Sequence, residues 1–391
     1  MTDTGKRSAK AAAVLFRIGL TCELAIVLLQ LSDYSLQNEG MLFRGTFVLF
    51  FLSALLSWVP EIRGGRTGRG ELLFLAAFLA LGAVSWRCSG RSEILRTVTF
   101  LAALRGTDIR REARYAFFVT LSGCLLLLFL AAAGIFGRLS LTMDYGRGSV
   151  ETRWCFGLGH PNAAHCMAAM LVIFALYLFG EHMRLTVYAA LLAGNAVLFL
   201  FTKSNTGVLV TAFALLLSLL FREVPKAGKG NTVYILTELM LAALLFLSFA
   251  AAVWGDALPL LARLDGPLNG RIATLRDTTF HEGTLFTWRW FSDRSNDSYF
   301  DLGWVRLFYW YGVIPGLSAV ALLYALLRRV RIRKDTASLV MLASFFVYTF
   351  MEAHLVSVYL GRNYGLFVLA CYAPELFGGA AQRAGTGREH E

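Results

Sequence analysis

About a dozen runs of apolar residues, most close to the length of one membrane-crossing helix, follow one another from Ala11 to Phe377. Crossing ~30 Å of hydrocarbon takes about 20 residues of helix. In lipid every backbone N–H and C=O must be satisfied internally, so a chain built this way folds as packed helices. Charge agrees with length, since only 16% of residues are charged and 57% are hydrophobic, against roughly a quarter charged in a soluble domain. The fold class is an all-α polytopic membrane protein with about 12 transmembrane helices. Residues 1–391 form a single integral membrane domain, with no room for a separate soluble one.

Spans are expected near 11–31, 43–59, 71–86, 92–104, 115–136, 162–180, 185–201, 207–221, 233–254, 304–327, 335–353 and 362–378. The run 92–104 is short and carries Arg96. Orientation follows from lysine and arginine, which collect in cytoplasmic connectors. Lys6, Arg7 and Lys10 precede the first span. Arg63, Arg66 and Arg69, then Arg105, Arg110, Arg111 and Arg114, then Arg222, Lys226 and Lys229, and finally Arg328 to Lys334 fall on the same side only if 92–104 crosses. Both termini are then cytoplasmic. Met1–Lys10 followed by Ala11–Leu31 reads as an uncleaved first span, because the apolar run is too long for a signal peptide.

Placement also decides what the net charge of +11 means. Most cations fall in alternate short connectors, a membrane signature, so nucleic acid is not an expected partner. The six cysteines (Cys22, Cys88, Cys124, Cys155, Cys166, Cys371) lie mostly in or beside apolar runs without zinc spacing, as small core residues do. No repeat relates the two halves, which argues against an inverted-repeat transporter.

Two outer segments carry the polar chemistry. Gly137–Pro161 is rich in glycine, which permits the backbone angles of a re-entering chain. Gly255–Gly303, between the ninth and tenth spans, is too long for a simple connector. Its five arginines against seven acids are no polybasic patch; the segment reads as a lid over an active site. Neither segment contains lysine, although Arg138, Arg147, Arg153, Arg263, Arg271, Arg276, Arg289 and Arg294 lie there. Guanidinium offers a planar fork suited to phosphate, which ammonium lacks. A set of arginines held outside, against the positive-inside bias, favours anion binding, although each has nearby acids or lipid headgroups to pair with.

His160 and Asn162 stand where the sixth span begins, with Pro161 suited to a helix start. They serve either as caps on exposed N–H groups or as hydrogen-bonding groups for a polar substrate at a helix N-terminus. His165, five residues on, shares no face with His160, so no metal site follows. Asn296-Asp297-Ser298-Tyr299 precedes the tenth span. Asp297 there is suited to take a proton from a sugar hydroxyl, with His281 the alternative base; the plainer role is a cap beside an interfacial tyrosine. Glu23 in mid-span, Lys203 at a helix end and Glu352 near the end of the eleventh span are the intramembrane charges, which need a cavity or a partner. Arg17 and Glu23, six apart, are not an obvious pair. Glu352 is a catalytic or arginine-orienting candidate, or half of a structural ion pair.

Together, R-W-C-F-G-L-G-H-P-N from Arg153 to Asn162, N-G-R-I from Asn269 to Ile272, N-D-S-Y from Asn296 to Tyr299, the Tyr311-Gly312-Val313-Ile314 helix, and E-A-H from Glu352 to His354 with Asn363 resemble the Wzy-type polysaccharide polymerases of the O-antigen polymerase and ligase superfamily. The resemblance covers roughly residues 150 to 370. It implies metal-independent glycosyl transfer on the outer face of a bacterial plasma membrane, with no cofactor. A glycan leaves undecaprenyl pyrophosphate and joins a hydroxyl of an incoming lipid-linked repeat unit. Implied partners are that lipid-linked oligosaccharide, membrane lipids and a chain-length regulator. Carried over by motif, Arg153, His160, Asn162, Arg271, Asp297, Tyr299 and Glu352 are the site candidates; Arg276 is added by charge alone. The family more often has D-N-x-Y where this chain has Asn296-Asp297, and often S-R where it has Ser204-Asn205. A ligase of finished glycan and a flippase of lipid-linked glycans are the competing expectations.

Overall fold

The computed structural model describes residues 3–377 apart from positions 66, 146–149, 267, 269, 278–282, 354, 355 and 357–360, with backbone alone at 3–7, 256, 276 and 277. The first group of helices is α1 (Asp3–Leu31), α2 (Glu39–Arg63), α3 (Arg69–Ser89), α4 (Glu93–Ala103) and α5 (Ile109–Ala132). A hairpin of β1 (Ser140–Asp144) and β2 (Val150–Trp154) follows. Then come α6 (Pro161–Phe179), α7 (Leu185–Thr202), α8 (Asn205–Glu223), the short α9 (Pro225–Lys229) and α10 (Thr232–Trp254). Two small helices, α11 (Pro259–Asp265) and α12 (Arg271–Asp277), precede α13 (Gly303–Tyr311), α14 (Val313–Arg333), α15 (Thr336–Met351) and α16 (Gly365–Leu376).

Among the described residues nine helices are long and apolar enough to cross a membrane: α1, α2, α3, α5, α6, α7, α8, α10 and α14. α15 and α16 are apolar but shorter. Several helix starts are written locally in the sequence. Asp108 accepts a hydrogen bond from the Arg111 N–H, Ser204 from the Gly207 N–H, and Asp335 from the Ser338 N–H. Each fills one of the donors that a first turn leaves open. The deepest part of the bundle gathers α6, α8, α15 and α16, where Phe174 stacks on Tyr364 at 4.2 Å and 15°.

The awkward intramembrane charges find one another. Arg96 on α4 donates to Glu23 on α1 at 2.6 Å, and Thr46 on α2 donates to the other Glu23 oxygen at 2.6 Å. Arg17 pairs instead with Glu112 on α5, through three hydrogen bonds of 2.7 to 3.1 Å. α4 is only 11 residues long, about 16 Å of helix. Its flanks nonetheless lie at opposite ends of the bundle. Arg105 after it pairs with Glu71 at the start of α3, while Arg91 before it reaches the carbonyl of Asn296.

The run 304–327, read as one span, is broken in two. α13 ends and α14 begins at Gly312, with φ 98° and ψ 171°. The loop before α13 supplies the hydrogen bonds that the break opens. Val313 N–H donates to the Arg289 carbonyl (2.8 Å), Ile314 N–H to Trp290 (3.0 Å) and Ser292 N–H to Tyr311 (3.3 Å). Irregular backbone in such a setting persists only where other protein groups satisfy it. A Cβ on Gly312 would lie 2.6 Å from Phe291 Cα and 2.7 Å from both Ser292 N and Trp290 O.

The segment 255–303 docks on the bundle instead of trailing from it. Leu261, Leu268, Ile272 and Leu275 pack with Phe300, Leu302, Val305 and Tyr309 against Ala250–Ala252 of α10. The other polar segment forms a two-stranded antiparallel hairpin in register Leu141 to Arg153, which its sequence had not announced. Its alternating side chains suit a strand pair, and Thr142 and Thr152 hydrogen-bond across it at 2.8 Å.

Candidate functional site

Polar groups converge where the C-terminal ends of α7, α10 and α15 meet the N-terminal ends of α6 and α8. The centre is Arg271. Asp265, at the end of α11, accepts the Ile272 N–H at 2.6 Å and the Ala273 N–H at 3.2 Å. That carboxylate caps α12 and fixes the helix start from which Arg271 reaches into the bundle. Arg271 Nε then donates to Asp301 at 3.0 Å, Nη1 to Thr206 Oγ1 at 3.2 Å and to the Met351 carbonyl at 2.5 Å, and Nη2 to Glu352 at 2.5 Å. One guanidinium thereby ties α12, α8, α15 and the lead-in to α13 together. Burial alone would lower its pKa, but Glu352 and Asp301 outweigh that and leave it raised.

A second cationic group lies on the hairpin. Arg153 is buried, with Nε 3.3 Å from Glu151 and its plane 3.9 Å over the Tyr145 ring. Among the described residues its Nη2 is buried with no hydrogen-bond partner. Lys203, the left-handed cap of α7, donates to the same Glu151 oxygen at 2.9 Å. The Lys203 ammonium, followed by Arg153, holds the Glu151 carboxyl below its ordinary range. Two cations therefore share one acid, and a buried N–H is left open; a buried donor without an acceptor is costly.

His160 stands between the two groups. Gly159 sits with φ 66°, and a Cβ there would meet the Leu31 carbonyl at 2.9 Å, so glycine lets this turn lie against the end of α1. His160 Nδ1 accepts the Asn162 N–H at 3.2 Å and caps α6. An accepting Nδ1 places the proton of the neutral ring on Nε2. Its edge then presents a donor to whatever occupies the face. The ring lies 6.0 Å from that of Tyr145. Desolvation, then repulsion from Arg153, lowers the imidazole pKa, with Asp301 pulling the other way.

A pH effect follows with a definite sign. The folded pKa of His160 lies below the ordinary 6.5, so the unfolded chain binds the extra proton first. The contribution is complete above about 6.5 and is lost as pH falls towards the lower folded value. Protonating Nδ1 also removes the cap. His160→Asn keeps a cap that does not titrate, so thermal unfolding in detergent should lose acid sensitivity below about pH 6.5. An unchanged profile in the variant would assign that sensitivity to another group.

The remaining candidates are distributed more widely. Glu352 is buried and bound to Arg271. Asp297 is exposed, and the groups bonded to Arg271 include Asp301 but not Asp297. Asn296, its neighbour in the motif, is a structural pin, donating to Thr287 O, Ser292 Oγ and Tyr309 O at 3.0 to 3.1 Å. Tyr299 is exposed, with its ring 4.0 Å from the Arg306 guanidinium. Asn162 is partly exposed in the first turn of α6. His281 lies outside the described residues, and only the backbone of Arg276 is described. Arg138 and Arg289 are engaged by Asp33 and Asp293. His165 is a satisfied core residue, bonded to Thr202 at 2.8 Å and Asn195 at 2.9 Å.

Sequence reasoning missed Asp301, Thr206, Tyr145 and Glu151. Asp301 had a signal, being an acid in the 255–303 segment four residues beyond Asp297; the other three had none before the helix ends were placed. Among the described residues no group of three or more His, Cys, Asp or Glu is gathered as a metal site would need. Comparison of the chain with protein-family profiles, curated proteins and solved structures finds no match in any of the three.

The arrangement suits an anion. Arg271 has a fixed fork whose carboxylate partners can yield to an incoming phosphate, Arg153 has an open N–H, and His160 has an outward donor. Asp301 and Glu352 are placed to receive a proton from a hydroxyl beside that anion.

Proposed function

We propose that this protein is a Wzy-type polysaccharide polymerase of the bacterial plasma membrane. In this reading twelve helical segments cross the membrane, both termini are cytoplasmic, and the 255–303 segment lies outside as the lid. The observation that carries it is Arg271, whose fork is fixed by Asp301 and Glu352 beside the open Arg153 N–H. Preorganised donors of this kind stabilise the charge that develops on a departing oxyanion.

The step balances without an outside reagent. The acceptor hydroxyl oxygen bonds to the anomeric carbon, and the bond from that carbon to the phosphate oxygen breaks. Its electron pair leaves with the lipid pyrophosphate, bound by Arg271 and Arg153. The hydroxyl proton passes to a carboxylate, for which Asp301 joins Asp297 and Glu352 as a candidate. His160 and Asn162 at the mouth of α6 orient the anion or the sugar.

A second reading has one observation in its favour. A cavity of about 980 Å³ opens at the other end of the bundle, lined by Arg17, Glu71, Arg105, Arg111 and Glu112 with apolar and other polar side chains. An exporter of lipid-linked glycans would use such a space. Against this, Arg17 and Arg105, two of its three arginines, are each taken by a glutamate. The glycan profile of cells lacking the protein separates the classes. Single repeat units accumulating on outer-leaflet lipid are expected for a polymerase. Units trapped on the inner leaflet mean an exporter, and finished polymer left on its lipid means a ligase.

A further inference from the structure

Beside the Arg271 group, four side chains form a continuous stack. Tyr299 lies over one part of Arg306, with the guanidinium carbon 4.0 Å from the ring centroid. The same guanidinium lies 3.3 Å from the centroid of Trp310, and Arg91 lies 3.9 Å from that indole. Two cations therefore share one aromatic ring. Arg306 is 3% exposed. Among the described residues neither arginine has a carboxylate partner: Arg306 Nη1 donates to the Phe300 carbonyl at 3.5 Å, and Arg91 Nη2 to the Asn296 carbonyl at 3.0 Å. Among the described residues the Nε atoms of both are buried with no hydrogen-bond partner.

This is an unusual expenditure of charge. Every other internal arginine named above, Arg17, Arg96, Arg105, Arg153 and Arg271, is held by a glutamate or aspartate. A cation over an aromatic face gains less than desolvating an unpaired charge costs. The stack alone does not offset the burial, and the cations repel each other across Trp310. What the pair lacks is an anion. The side chain lying between Arg306 and the exterior is Tyr299, which stacks on it, is 70% exposed and stands two residues from Asp301.

The geometry points to a second oxyanion subsite, made by Arg306 with Arg91 across Trp310 and covered by Tyr299, that takes the phosphate or carboxylate of a second molecule brought to this face. The inference rests on the transfer reading to the extent that transfer needs two molecules there at once. Arg271 and Arg153 hold one. Planar guanidinium edges bind phosphate and carboxylate through the same fork, so the two sources are separated by the ligand offered. A phosphate source belongs to a lipid headgroup, and a carboxylate source belongs to an acidic sugar.

The test is equilibrium binding to the purified full chain in detergent, with inorganic pyrophosphate in one arm and glucuronate in the other. Two pyrophosphate sites are expected in the unaltered protein, one lost in Arg271→Gln and the other in Arg306→Gln. If the second site takes a carboxylate instead, glucuronate binds the unaltered protein and the Arg271→Gln variant, and binding falls at least tenfold in Arg306→Gln. Arg91→Gln, at a less buried position, weakens the same site and serves if Arg306→Gln fails to fold. Either pattern supports the subsite and names its ligand. A single pyrophosphate site lost only with Arg271, with no glucuronate bound, overturns it. Binding is scored apart from polymer formation: two sites without any glycan transfer would sink the polymerase reading and leave the subsite standing.

Discussion

Replacing Arg271 by lysine is expected to lower glycan transfer about 100-fold at equal protein level, the scale of losing one preorganised oxyanion donor. Lysine keeps the charge but is a point donor. It cannot serve Asp301, Thr206, the Met351 carbonyl and Glu352 at once, as the guanidinium does. The loss should fall on turnover, with the lipid-linked donor still bound through Arg153. Arg138→Lys is the control, because Arg138 is an exposed partner of Asp33 and should leave the rate unchanged. Unaltered transfer in Arg271→Lys, assayed in proteoliposomes, would remove Arg271 from the reaction.

The largest effect on folding is expected at Gly312. Alanine there must adopt φ 98° and ψ 171°, a region open essentially to glycine alone and worth about 1–3 kcal/mol of strain. Its methyl group would also lie 2.6–2.7 Å from three backbone atoms of the 290–292 loop, and backbone cannot yield as a flexible side chain can. Overpacking of this kind adds about 1–3 kcal/mol. The two helices are held apart by that loop, so pushing it away also strips Val313 and Ile314 of their acceptors. Gly312→Ala should therefore lower thermal stability in detergent by many degrees or abolish recovery of folded protein. A melting temperature within a degree of the parent would mean that the break is easily rearranged.

Much of the bundle was legible because apolar length and charge placement act over whole segments. The first nine expected spans each coincide with a helix, within a few residues at most edges. The broken tenth segment was not legible. Trp304 to Leu327 is apolar apart from Arg306 and Ser318, and what stops the helix is a loop folding back from residues 289–292, a contact that local composition does not carry. The hairpin was hidden for a similar reason, since its five-residue strands sit in a glycine-rich stretch that reads equally well as irregular. For the site, residue type was informative and pairing was not. Arg271 and Glu352 are 81 positions apart, and only the meeting of α12 with the end of α15 makes them partners. His160 was readable as a cap because capping is decided within two residues.

The pairing of Glu23 with Arg96 bears on how the chain enters the membrane. α4 is short, at 11 residues, and carries an arginine, which costs about 2.5–3.5 kcal/mol when a helix partitions into lipid alone. Its counter-charge lies on the first helix, which leaves the ribosome 73 residues earlier. The acid, which already accepts a hydrogen bond from Thr46 of the second helix, is thus waiting when the arginine arrives. The order of the two charges along the chain makes the early helices a template for the later one. Moving the arginine into α1 and the acid into α4 would preserve the finished contact while leaving a cation without its partner during the earliest stage of synthesis.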